Sequence, residues 1–317
     1  MCEDGWIFFQ ENYPKICDTF SSVFTDVFLV EEKHLFFNNL LPFYDKTKEY
    51  NKNIEQGLIT IMDSNLWEKH HLVKFLFWYA PILPLSPNCV NILEESLGND
   101  DIIFEDKPKT LEILKGDRNN FWGRYCELEI ANSLSKEGCH VCLLERNKSQ
   151  GRYPDLDVQL GDLRFNIEVT NRYYNISDKQ VLINALHGKI IEEAGQLPVS
   201  GINIIIVFFS GALLFSDSME PKKIINLFDF CDVMYEDSCE SESIIRSGCE
   251  ILRPKRKLIL ETRAELNHIS AVAGWYFEQM PMEKFGKQIR TMQLCCLDSF
   301  PSELKGLLAQ IQYKDVQ

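Results

Sequence analysis

Asp155-Leu-Asp-Val-Gln-Leu160 and Leu163-Arg-Phe-Asn-Ile-Glu-Val-Thr170, joined by Gly161-Asp162, decide how this chain folds. Both runs alternate apolar and polar residues with the period of a half-buried strand, and Gly-Asp between them is a two-residue hairpin signal. With such a turn Leu160 faces Leu163, Val158 faces Phe165 and Leu156 faces Ile167, so one side of the ribbon is apolar and turns to the core. The other side sets Asp157 against Asn166 and Asp155 against Glu168, with Thr170 one step further along. A slip of one residue would mix the two faces, so the apolar pattern fixes the register.

That register places carboxylates opposite each other. Directly opposed residues have Cβ atoms about 4.5–5.5 Å apart. At about 5 Å and an effective dielectric near 20, two carboxylates repel by roughly 3 kcal/mol before screening. A divalent cation turns the repulsion into coordination, because hard cations such as Mg²⁺ prefer carboxylate oxygens. Two readings stand on the hairpin alone. Asp155, Glu168 and Asp157 are metal ligands, or they form a polar hairpin face whose carboxylates point apart.

Around the hairpin the pattern is mixed α/β. Phe121–Glu137 reads as a helix with Leu128, Ala131 and Leu134 on one face and Gly138 as terminator. Cys139–Leu144 is a short apolar strand, and a loop over Arg146–Tyr153 leads to Pro154. A helix from Asp178 to Gln196, with Ser177 and Asp178 as caps, and a fully buried strand Ile202–Phe209 follow. The order is helix, strand, strand, strand, helix, strand. Further on, Asp232 to Glu242 holds five acidic residues and no basic one, which predicts a solvated loop. Arg253-Pro-Lys-Arg-Lys257 is a basic cluster, Ile269–Phe277 a strand and Ser302–Tyr313 a closing helix.

Residues 1–110 hold 11 of the 21 phenylalanines and three of the five tryptophans. Glu31–Phe43 and Asn65–Tyr79 carry apolar residues at three- and four-residue spacings, and Pro81, Pro84 and Pro87 break the pattern. A helical accessory region over 1–110 and an α/β domain over 111–317 are expected, with the boundary between Lys107 and Lys115.

The chain has 317 residues and a net charge of −14. No run reaches the roughly 18 apolar residues of a membrane helix; Ile202 to Phe215 is too short and carries Asn203, Ser210 and Gly211. The opening Met-Cys-Glu-Asp-Gly-Trp is acidic where a secretory signal is basic, so a cytoplasmic protein is expected. Eleven cysteines is an odd number, and Cys139 and Cys142 have CxxC spacing without the second pair of a zinc site, so reduced, mostly buried thiols are expected. The acidity argues against coating of nucleic acid by bulk charge. By segment the charge is −8 over 1–100, −3 over 101–200, −6 over 201–250 and +3 over 251–317, so the hairpin region is close to balanced.

Gly123-Arg-Tyr-Cys-Glu127, Ala131, Gly138, Tyr153-Pro-Asp155-Leu-Asp157-Val and Asn166-Ile-Glu168-Val-Thr170 resemble the PD-(D/E)XK nuclease superfamily, over roughly residues 118–210. The resemblance implies a restriction-endonuclease-like mixed sheet flanked by helices, with an acidic residue on the first helix, Asp in Pro-Asp, and Glu-x-Lys on the next strand. Glu127 matches the first, with Glu129 as the other choice, and Asp155 and Glu168 match the next two. Thr170 departs from the family's lysine, which orients the attacking water and steadies negative charge. A lysine on the following helix (Lys189, then Lys179), Arg172 at the strand end, or metal-bound water alone would take over that task. Gln196 matches the family's occasional helical glutamine or is a plain helix-end residue.

The resemblance therefore implies a nuclease dependent on Mg²⁺ or Mn²⁺, acting on DNA rather than RNA. Asp155, Glu168 and the Val169 carbonyl would hold the metal and Glu127 a second metal or bridging water. Arg152, Lys148, Arg146 and Arg172 would line the nucleic acid, with a homodimer or partner protein as further company. The alternatives are a nuclease-fold module that has lost catalysis and serves nucleic-acid binding or assembly, and an unrelated α/β interaction protein.

Overall fold

The hairpin register read from the sequence is the one the computed structural model contains. Leu156–Leu160 (β3) pairs antiparallel with Leu163–Arg172 (β4), with Leu156 opposite Ile167, Asp157 opposite Asn166, Val158 opposite Phe165 and Leu160 opposite Leu163. Gly161 has φ +57°, the left-handed conformation that a tight hairpin turn needs and glycine supplies without strain. The structure describes residues 4–24, 34, 37–38, 55, 59, 62, 95–115, 118–145, 151–172, 179–209, 230–246, 249–279 and 288–312. Most of Glu31–Phe43, all of Asn65–Tyr79, Pro81, Pro84, Pro87, Arg146, Lys148, Ser177 and Asp178 lie outside the described residues.

Among those residues the fold is mixed α/β, a seven-stranded mixed sheet flanked by helices. In chain order the elements are α1 (Gly5–Asn12), α2 (Pro14–Phe24), β1 (Ile102–Phe104), α3 (Lys107–Lys115), α4 (Arg118–Ser135) and β2 (His140–Leu143). After β3 and β4 come α5 (Lys179–Ala194), β5 (Ile202–Phe209), α6 (Phe230–Val233), β6 (Tyr235–Arg246) and β7 (Cys249–Leu258). The chain continues with α7 (Ile259–Thr262), β8 (Ala271–Gln279), β9 (Gln288–Cys296) and α8 (Ser302–Gln312). The strands lie in the order β1-β2-β3-β4-β5-β8-β9. β3 is antiparallel to both neighbours, β4, β5 and β8 run parallel, and β9 closes the far edge antiparallel to β8.

Period-two alternation gives the sheet two apolar faces. Leu156, Val158, Phe165, Ile167, Ile204 and Ile206 pack against Tyr125, Leu128 and Ala131 of α4 and Leu304, Leu308 and Ile311 of α8. The opposite face, with Ile205, Val207 and Val272, meets Leu186, Ile190 and Ala194 of α5. Each such fully buried aliphatic side chain contributes roughly 1.5–3 kcal/mol. Gly138, at φ +84°, ends the α4 region as its sequence position foretells.

Three expectations change. β1 lies upstream of the expected boundary and is a strand of the main sheet, and Phe9, Ile16 and Phe20 of the first helices share the core that α4 covers. β9 falls in a stretch where no strand is foreseen. Asp232 to Glu242 is not a loop: from Tyr235 it is β6, zipped to the basic β7 in a separate two-stranded sheet. Glu236 stands opposite Lys257, Asp237 opposite Arg256 and Glu242 opposite Arg253. Opposite charges across the strands support a ribbon that each segment alone does not announce. Among the described residues no helix is long and apolar enough to cross a membrane.

Candidate functional site

β3 ends against Pro154, and that proline shapes the end of the hairpin. Strand alternation directs the main-chain N–H and C=O of Val169 toward the β3 side, where extending the register past Leu156–Ile167 brings Pro154 opposite. Proline has no N–H to offer the Val169 carbonyl. The Val169 N–H is taken by Asp155, whose Oδ2 accepts it at 2.9 Å. The Asp155 main-chain carbonyl accepts from Leu144 at 2.9 Å, so the residue is held from both sides. Asp155 is 4% exposed, Glu168 on the neighbouring strand 0% and Thr170 5%. Asp155, just before β3, and Glu168 and Thr170 of β4 are therefore all buried, with Asp155 bonded to the residue between the other two.

Asp157 is placed differently. Its carboxylate takes both ends of the Arg164 guanidinium, with Arg164 Nε donating to Oδ1 at 2.9 Å and Nη2 to Oδ2. Arg164 is drawn above its ordinary range by that hydrogen bond. An aspartate bonded in this way is occupied by its own cross-strand neighbour.

Glu127 belongs to a cluster the sequence reading did not assemble. It lies on α4, which packs against the face opposite to that of Glu168 and Thr170, and its Oε2 is 2.9 Å from Arg124 Nη1. Arg124 Nη2 also reaches Glu145 at 3.1 Å, just past β2. Thr110 Oγ1 donates to Glu145 Oε1 at 3.0 Å, and Lys109 Nζ approaches Oε2 at 3.4 Å. Arg124 and Glu145 are both buried, so α3, α4 and β2 are joined by a largely desolvated ion network. Glu105 completes this end of the sheet, accepting from the Glu145 N–H at 2.7 Å and the Tyr153 hydroxyl at 2.8 Å. The hydrogen bond to Glu105 pushes the Tyr153 phenol up. A signal for Glu145 was present: it shares the parity of Val141 and Leu143, so a period-two strand turns an acid toward the core. Glu129, the other choice for the helix acid, is fully buried.

Lys189, the candidate replacement for the motif lysine, lies half-buried on α5. Its Nζ is 2.9 Å from Glu192 and also pairs with Glu193, one turn along its own helix. Gln196 donates to the same Glu193. The side chains of Lys179 and Arg172 fall outside the described residues, as does Lys148; Arg152 is exposed. Cys139 is buried and Cys142 half-buried, both as free thiols. Burial pushes Cys139 up to about 11, and burial, then Asp157 and Glu105, raise Cys142.

Among the described residues no group of three or more His, Cys, Asp or Glu side chains is disposed to hold a metal ion. Mg²⁺, however, commonly binds through one or two carboxylates with the rest of its shell from water and substrate phosphate. Asp155 and Glu168, with the Val169 carbonyl facing a residue that has no donor, fit that smaller donor set. Comparison with protein-family models, curated proteins and solved structures finds no match.

Proposed function

We propose that the chain is a divalent-metal-dependent phosphodiesterase that cleaves DNA, built on a restriction-endonuclease-like core. The observation that carries this reading is the pair Asp155, just before β3, and Glu168 of β4, both buried, with Asp155 locked to the Val169 N–H. The order α4, β2, β3, β4, α5, β5 supports it, since it is the order that the resemblance requires.

In this reading Asp155, Glu168 and the Val169 carbonyl hold Mg²⁺ or Mn²⁺. A bound divalent cation supplies Lewis-acid polarisation of the phosphate and a lowered pKa for the attacking water. The chain supplies orientation. The Val169 N–H fixes one oxygen of Asp155 and so sets the orientation of the carboxylate. Thr170 offers a hydroxyl that orients water by hydrogen bonding but carries no charge. Glu127, paired to Arg124 on α4, is a structural partner in this reading and not a ligand of the metal. Arg152, with Lys148 and Arg172, gives the cationic approach for the phosphate backbone, and the site works in the cytoplasm.

Supercoiled plasmid, linear DNA and RNA are to be incubated with the chain in Mg²⁺, Mn²⁺ or EDTA. Cleavage of DNA in either metal, absent in EDTA and lost in Asp155→Asn and Glu168→Gln, is the expected result. Intact substrate under every condition, or cleavage that survives both substitutions, sinks the reading. A second reading has its own support: with Thr170 in the lysine position and Lys189 paired to Glu192 and Glu193, the core serves binding or assembly without cleavage. DNA retention by the wild type without any cleavage would favour it.

A further inference from the structure

We propose that the β6–β7 ribbon is a docking arm for a second copy of this chain, stacked face to face through Ile245, Leu252 and Pro254. From Cys239 to Ile245 and from Glu250 to Arg256 every residue but the half-buried Ile244 is exposed, so the outer ribbon is covered on neither face. Two strands alone are marginally stable at best in water and need a further layer against them. α6 and α7 support the foot of the ribbon. Further out, the pairs Ile245–Glu250, Ser243–Leu252, Ser241–Pro254 and Asp237–Arg256 share one face by strand alternation. On that face Ile245 is 77% and Leu252 69% exposed. Asp237 Oδ1 lies 3.9 Å from Arg256 Nε at its inner end. The other face carries the ion pairs of Glu240 with Lys255 and Lys257, and covering it would strip water from charge.

Charge selects the occupant. Apart from Arg246 and Glu250 at the tip, β6 holds the acids Glu236, Asp237, Glu240 and Glu242, and β7 the bases Arg253, Lys255, Arg256 and Lys257. A nucleic acid, or any surface of one sign, is attracted by one strand and repelled by the other. A second copy brings both rows with it, and in a two-fold dimer the same patch meets itself. Pairing two ribbons edge to edge about such an axis sets β6 against β6 or β7 against β7, and like charges directly opposite destabilise. Stacking the exposed faces about an axis along the strands lays β6 of each copy over β7 of the other. Asp237 then stands over the partner's Arg256 and Arg256 over the partner's Asp237, while Ile245 packs beside the partner's Leu252. The stacked face measures about 30 Å by about 10 Å, on the order of 300 Å² per copy. A standard interface takes about 800 Å² per partner, so this dimer is weak and reversible.

Sedimentation velocity of the full chain from roughly 1 to 200 µM reads the equilibrium, with monomer expected at the low end and dimer at the high end. Ile245→Ser/Leu252→Ser, with an unchanged circular dichroism spectrum, is expected to raise the dimer Kd by about tenfold or more. Asp237→Arg alone and Arg256→Asp alone each set like charges together in both halves of the dimer and are expected to stay monomeric. An equimolar mixture of these two variants restores opposite charges across the copies and is expected to dimerise. A contact made only within one ribbon gives no such rescue. A wild type that stays monomeric throughout the range leaves the face to a partner of another kind and overturns the proposal. So does a dimer that the two serines leave untouched, or a pair of charge variants that stays monomeric when mixed. None of these readouts depends on cleavage of nucleic acid.

Discussion

Asp155 has two tasks that a substitution can separate. Its Oδ2 replaces the ladder bond that Val169 loses where β3 meets Pro154, and in the proposed function its charge holds the cation. Asp155→Asn keeps an acceptor oxygen for the Val169 N–H and removes the charge, so urea unfolding is expected to shift by less than about 1 kcal/mol while DNA cleavage is lost. Asp155→Ala leaves the buried N–H without that partner and is expected to cost about 1–3 kcal/mol as well. Equal stability losses in both variants would refute the capping role. Arg124 offers the opposite test, because it is a structural ion with two carboxylate partners, Glu127 and Glu145. Removing one partner of a buried pair strands the other, so Arg124→Met is expected to destabilise the fold by about 3–5 kcal/mol, with part recovered in Arg124→Met/Glu145→Met. A denaturant titration of the two variants decides it. Asp155 and Glu168 were legible in the sequence because a strand of period two fixes what lies opposite what. The Arg124–Glu145 pairing was not, although strand parity marks Glu145 as inward, since their meeting depends on how α4 crosses β2, which neither segment encodes alone.

The β6–β7 ribbon shows the same limit for whole segments. An acidic run read by itself is a solvated loop, and a basic run is a patch; only their pairing makes 12- and 10-residue strands. β3 and β4, by contrast, carry their partner two residues away and announce it. The ribbon's charges lie on the surface, with Glu240 near Lys255 and Lys257 at 3.5 and 3.3 Å, and exposed pairs of this kind contribute little to global stability. Reversing β7 with Arg253→Glu and Arg256→Glu is therefore expected to speed amide exchange along β6 and β7 while moving the global midpoint only slightly. Hydrogen exchange with mass readout measures both. At the foot of the ribbon Arg263 hydrogen-bonds Glu236 and holds its carboxyl below the ordinary value of 4.5. A group depressed on folding stabilises the native state above its unfolded pKa and loses that contribution as pH falls through the folded one. The ribbon is thus expected to loosen in acid, below the ordinary carboxylate range. Glu236→Gln should flatten that part of the pH dependence and leave neutral pH with the looser ribbon; an unchanged acid limb of β6 exchange would remove Arg263–Glu236 as its cause.

The net charge of −14 sets a condition on any phosphate chemistry that the fold performs. Much of the negative charge lies outside residues 101–200, which carry −3, and the basic stretch of β7 is opposed by the acids of β6, so it offers no unopposed cationic surface. Glu145 and Asp157 are matched by Arg124, Lys109 and Arg164, but Asp155 and Glu168 lie side by side, and a phosphate meets repulsion from that pair unless cations intervene. DNA affinity should therefore depend on a divalent ion more than on the protein's lysines and arginines. In a mobility-shift titration at low salt, EDTA is expected to abolish binding, and Ca²⁺, which takes carboxylate oxygens without supporting the chemistry of many Mg²⁺ sites, to restore it without cleavage. Asp155→Asn and Glu168→Gln should lose the Ca²⁺-dependent shift together with cleavage, because both act through the same pair. A protein that binds DNA tightly in EDTA, with a steep salt dependence, would instead be making several direct phosphate contacts. That outcome would place the anchor on Arg152 and its neighbours and detach binding from the Asp155–Glu168 pair.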